Sequence, residues 1–239
     1  MSLDDLSWWT AGMTNLRDLH RHHGREASTH AASYAGRYQG QRAAMVFDVV
    51  ASRQRRYNQR VEPMVEKFKT TPAARDLDAL AEHGPGDGYG LRAGEAQTMQ
   101  GVAAGLLRYC QEHGTGEEEV VGRWATSAAP FEHAPKLEPY VGSVKGMGPA
   151  LLAYLRMRCG ADAIKPDLRV RGALNRLGFQ VPSDEHAILV VAHAAADHLR
   201  VSRLVLDQLL WWPAADPARP ADVPGNRSLG VPGRPRSCS

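Results

Sequence analysis

"VKGMGPALLAYL", Val144 to Leu155, places two glycines around a methionine directly ahead of an apolar run. Gly146 and Gly148 permit backbone conformations closed to other residues and leave amides uncovered by side chains. Pro149 suits the first turn of a helix, where its missing N–H costs nothing. Such a corner aims free amides and the positive end of a helix macrodipole at one point, a seat for an oxyanion such as phosphate, and Lys145 adds a full charge beside it. Two common phosphate loops are excluded. G-x-x-x-x-G-K-[ST] is absent, and Ala150 and Leu151 stand where G-x-G-x-x-G needs its third glycine. The preceding "LEPYVGSV" reads as a short helix, so residues 137–159 read as helix, glycine hairpin, helix, a backbone clamp on DNA.

Outward from this corner the helical period dominates. Apolar residues three and four apart recur in "AAMVFDVVASRQ", "NQRVEPMVEKF", "AQTMQGVAAGLLRYCQEH", "PALLAYLRMRCG", "LRVRGALNRLG", "DEHAILVVAHAAADHL" and "VSRLVLDQLLWW", and no stretch alternates as a strand does. Gly160 and Gly178 are placed to close helices, Thr71 and Ser183 to start them, and "EHGPGDGYG" to form a loop. The expectation is an all-α chain of about ten helices.

A chain of 239 residues, 43% hydrophobic and 23% charged, buries a full core. Residues 1–212 are expected to form one helical domain, and the Pro/Gly/Arg-rich residues 213–239 a disordered tail. No apolar run approaches the roughly 18–20 residues that cross a bilayer, and "MSLDDLSWWT" lacks the regions of a secretion signal, which points to the cytoplasm. Cys110, Cys159 and Cys238 are too dispersed for a disulfide framework or a paired-cysteine metal site. His20, His22, His23 and His30 lack partners at a ligand spacing. The net charge of +3 leans mildly toward polyanions. Its densest stretch, "SRQRRYNQR" from Ser52 to Arg60, reads either as a solvated arginine face or as part of a DNA surface.

With these motifs in place, Val141 to Phe179 resembles the helix-hairpin-helix segment and following acidic residue of the endonuclease III-like (HhH-GPD) DNA glycosylase superfamily. Val144–Gly148 matches its L-P-G-V-G hairpin, and Asp167, in "IKPDLRVRGALNRLG", matches the aspartate ahead of a helix ending in R-L-G. Upstream, "FDVVASRQRRYNQRVEPMVEKF" is similar to the region whose glutamine reaches into the duplex, here Gln54. "YGLRAGEAQTMQGVAAGLL" resembles a G-x-x-x-x-K-A helix with Glu95 in the lysine's place.

The resemblance implies a two-lobed helical fold with double-stranded DNA across the cleft. Lys145, Gly146, Met147 and Gly148 would hold the strand, with Arg53 and Arg169 beside them and Gln54 filling the gap left by an extruded nucleotide. The chain is expected to be a monomer with no membrane role; lacking the iron–sulfur cysteines of the endonuclease III branch it is expected to carry no cluster, and no cofactor beyond a monovalent cation on hairpin carbonyls as in relatives. Asp167 would stabilise positive charge developing on the sugar or activate the attacking water. Read alone, it is the N-cap of the following helix. Strand-nicking relatives carry a lysine where Ala150 stands, so a monofunctional glycosylase is implied, with Lys145 and Lys165 keeping a lyase variant open. Trp8, Trp9, Tyr34 and Tyr38 are either walls for the flipped base or packing residues. A non-catalytic DNA-binding or DNA-inspection protein is the alternative, and a helical adaptor with no DNA role a third reading.

Overall fold

The computed structural model describes residues 2–114 and 116–211. Among them are ten α-helices and no strand: α1 (Ser7–Ser33), α2 (Arg42–Ala51), α3 (Glu62–Phe68), α4 (Leu77–His83), α5 (Glu95–His113), α6 (Glu117–Ser127), α7 (Pro149–Arg158), α8 (Leu168–Arg176), α9 (Glu185–Leu199) and α10 (Arg203–Leu210). The tail expected at 213–239 lies outside the described residues. No helix among the described residues is long and apolar enough to cross a membrane.

Side-chain caps set four of the ten helix starts. Asp76, Asp167, Asp184 and Ser202 each accept a backbone N–H from the first turn they precede, which satisfies donors the helix itself cannot. Two expected starts are corrected. Thr71 opens only a 3-10 turn, Pro72–Ala74, and α9 is capped by Asp184, one residue beyond Ser183. Gly160 and Gly178, with φ of 93° and 101°, follow α7 and α8 as expected.

Burial divides the chain into two main apolar clusters. The first is built by α2 to α7, with Trp124, Met99, Leu106 and Leu152 fully enclosed and Phe47 stacked on Phe68 at 4.4 Å. The second joins α1 to α8, α9 and α10, and Trp9 meets Phe179 edge-on at 5.4 Å. Each large side chain so enclosed contributes about 1.5–3 kcal/mol of transfer free energy. The chain therefore starts in the second cluster, crosses to the first after α1 and returns at α8. Both crossings border one cleft.

The arm ahead of the glycines is not the helix expected from "LEPYVGSV". A 3-10 turn at Pro135–Leu137 is followed by irregular turns, for two reasons. Pro139 disfavours the α conformation at the residue before it. Glu138, 2% exposed, takes the local amides for itself, accepting from Tyr140 N at 3.2 Å, Val141 N at 2.7 Å and Gly142 N at 2.6 Å. It also accepts from Trp124 Nε1 at 3.2 Å, which ties the arm to α6.

Candidate functional site

The cleft between the clusters has a volume of about 1400 Å³. Arg53, Gln54, Gly146, Gly148, Asp167 and Arg169 all line it, whereas Lys145 and Met147 do not. Lys145 is exposed, its carbonyl accepting the Thr98 hydroxyl at 2.9 Å. Met147, 3% exposed, turns its side chain into the first core.

The hairpin leaves fewer amides free than its sequence suggests. Gly146 has φ of 96°, and a Cβ there would lie 2.5 Å from Thr98 Oγ1, so only glycine fits. Gly148 is ordinary extended backbone, φ −126° and ψ −179°, with open space where a Cβ would be. That corrects the expectation of a special conformation there: its lack of a side chain leaves the surface bare. The Met147 amide is already spent on Val144 O at 3.1 Å, so it is not the phosphate donor expected. Pro149 has no N–H. The Ala150 amide faces the Glu185 carboxylate, whose own pKa is raised by burial. Among the described residues, the Gly148 N–H has no acceptor. Lys136, not singled out from the sequence, donates from Nζ to Val144 O at 2.8 Å and Gly142 O at 3.3 Å, placing an ammonium on the hairpin carbonyls.

The two oxygens of Asp167 have different partners. Oδ1 caps α8, accepting Arg169 N at 2.9 Å and Val170 N at 3.0 Å. Oδ2 lies 3.5 Å from Lys165 Nζ, with the side chain 21% exposed. The cap therefore fixes the carboxylate with Oδ2 turned toward Lys165. Behind it, Asp207, 1% exposed, accepts the Lys165 backbone N–H at 3.1 Å. Burial, and then the charge of Asp167, push the Asp207 carboxyl up to about 7.

The rim is made by the loop after α2. Gln54 holds φ of 51° without being glycine, a conformation worth about 1–3 kcal/mol of strain that surrounding bonds must offset. Arg92 supplies them, donating to Gln54 Oε1 at 2.9 Å and to its carbonyl at 3.2 Å. Next to it, Arg55 makes a two-pronged pair with Glu95, at 2.9 and 2.7 Å, so the glutamate in the expected lysine position anchors this loop.

The inner wall went largely unread in the sequence. Tyr154 and Arg158, one turn apart on α7, meet Tyr34, Tyr57, Lys165 and Trp211 there. Arg158 donates to Tyr154 Oη at 2.9 Å and reaches Asp48 Oδ2 at 3.4 Å, while the Tyr154 hydroxyl donates to that same oxygen at 3.0 Å. Burial drives the Tyr154 hydroxyl pKa far above its ordinary value, so it stays protonated. A π-helical turn, Tyr57–Val61, delivers Tyr57. Of the four aromatics named as base walls, only Tyr34 lines the cleft. Trp9 and Tyr38 are buried in separate cores, and Trp8 packs on the second. Compared with protein families, curated proteins and solved structures, the chain matches none.

Proposed function

We propose that this chain is a monofunctional DNA base-excision glycosylase of the HhH-GPD type, hydrolysing the N-glycosidic bond of an extruded damaged or modified base in double-stranded DNA. The observation that carries the reading is the meeting, in one cleft, of the hairpin glycines, the strained Gln54 rim and a capped carboxylate with a spare oxygen. The bare Gly148 amide and the α7 N-terminus suit a flanking phosphate. Arg53 and Arg169 extend the cationic surface, so duplex affinity falls steeply with salt. Gln54, already at the rim, fills the stack when the nucleotide leaves it, a step costing a few kcal/mol.

In the reaction, Asp167 Oδ2 faces the sugar and stabilises the positive charge that grows on C1′ as the base departs, or takes the proton of the attacking water. Ala150 can form no imine, which supports hydrolysis without strand nicking. The test incubates the protein with duplexes bearing alkylated, oxidised, deaminated and hypermodified bases and detects free base by mass spectrometry. Release that is lost in Asp167→Asn, with duplex binding kept, supports the reading. Binding without release from any duplex favours a non-catalytic inspection protein instead.

A further inference from the structure

Every tyrosine and tryptophan lining the cleft already carries a cation of the protein on its ring. The Arg158 guanidinium lies 4.0 Å from the Tyr34 centroid and 5.2 Å from that of Tyr154. Lys165 Nζ is 4.6 Å from the Tyr154 centroid, Arg37 is 5.6 Å from Tyr57, and Arg169 is 4.6 Å from Trp211. A bare aromatic face attracts a cationic ligand through its quadrupole. Here that attraction is spent within the protein, and an incoming cationic base finds no bare ring to stack on.

We propose that the cleft selects a neutral, carbonyl-bearing base, one that must leave as an anion, and discriminates against positively charged N-alkylated purines. The inference rests on the glycosylase reading and adds the substrate class to it. In the hydrolysis, the C1′–N electron pair goes to the base, water supplies hydroxyl to C1′, and its proton passes through Asp167 and solvent to the departed base. An N-alkylated purine cation leaves neutral and needs no help with negative charge. A neutral base leaves with negative charge spread onto its carbonyls, where Lys165, Arg37 and Arg169 can donate, the Arg158 donors being held by Tyr154 and Tyr34. Those contacts strengthen only as the bond breaks, so they accelerate the chemical step as well as binding.

The experiment compares release from duplexes containing uracil, 5-hydroxyuracil or 8-oxoguanine with release from N7-methylguanine and N3-methyladenine duplexes. Each rate is divided by the spontaneous loss without protein. At least one neutral base should be released with an enhancement about tenfold or more above either methylated purine. Lys165→Gln, checked for an unchanged melting profile, should lower neutral-base release about tenfold more than any release of methylated purines. Arg37→Gln, further from Asp167 in the chain, should shift the ratio the same way by a smaller factor. Greater enhancement for the methylated purines overturns this inference and leaves the glycosylase reading standing. Release of no base from any duplex overturns both.

Discussion

Replacing Glu95 with alanine tests how the Gln54 rim of the cleft is held. Its side chain is 1% exposed and its partner Arg55 10%. Glu95 accepts both Arg55 terminal nitrogens and also the Arg92 backbone N–H at 2.8 Å. Arg55 has two further acceptors, Ala51 O at 2.9 Å and Gly90 O at 3.1 Å. Glu95→Ala thus strands a nearly buried guanidinium on two carbonyls and orphans the Arg92 amide. Breaking a buried pair from one side costs about 3–5 kcal/mol, and at about 2–4 °C per kcal/mol for a chain of this size the melting point should drop by roughly 6–20 °C. Removing both charges in Arg55→Leu/Glu95→Leu should recover much of that loss, because no uncompensated charge remains. Urea titration followed by circular dichroism measures all three proteins. A Glu95→Ala cost below about 1 kcal/mol would refute the reasoning, since it is what an exposed pair shows. The loop carrying Arg53 and Gln54 would then need another anchor.

Other consequences are independent of that pair. Asp167→Ala should lose about 1 kcal/mol of stability through its missing cap, while Asp167→Asn should lose only a few tenths, with denaturant midpoints reading the difference; equal losses would contradict the cap seen at Oδ1. Glu185→Ala removes a carboxylate from the Ala150 amide and should tighten duplex binding at low salt, measured by fluorescence anisotropy, whereas weaker binding would count against phosphate docking there. Asp207 has its pKa raised from 3.8 to about 7, so the folded state holds a proton that the unfolded state lacks between those values. Its contribution to stability therefore falls as pH rises through that window and is lowest above it. Asp207→Asn can still accept the Lys165 amide, and melting curves should show it gaining by up to about 4 kcal/mol on the parent at pH 8 but not at pH 4.

Much of the architecture was readable because it is local. The seven apolar-periodic segments all contain helix in the structure, with ends off by a few residues at α2, α3 and α10. The Asp167 cap is legible for the same reason, whereas of the glycine corner only the positive φ of Gly146 and the start of α7 match the expectation. What escaped depends on partners far along the chain. Tyr154 meets Asp48 across 106 positions, so α7 reads as an apolar helix with cationic ends when Arg156 and Arg158 are in fact buried. Glu138 overrides the helix expected before the glycines by accepting from its own arm and from Trp124 at once. α1 shows no plain apolar period because Trp9, Met13 and Leu16 are interspersed with many polar residues, and packing on α10 and Phe179 completes its apolar face.

The central claim concerns one carboxylate beside one bond. Its most direct test is single-turnover release of free base from a modified duplex under excess protein, comparing the parent chain with Asp167→Asn at matched duplex occupancy. The account predicts release by the parent and a rate at least about a hundredfold lower in the variant. Equal rates from the two proteins would contradict it.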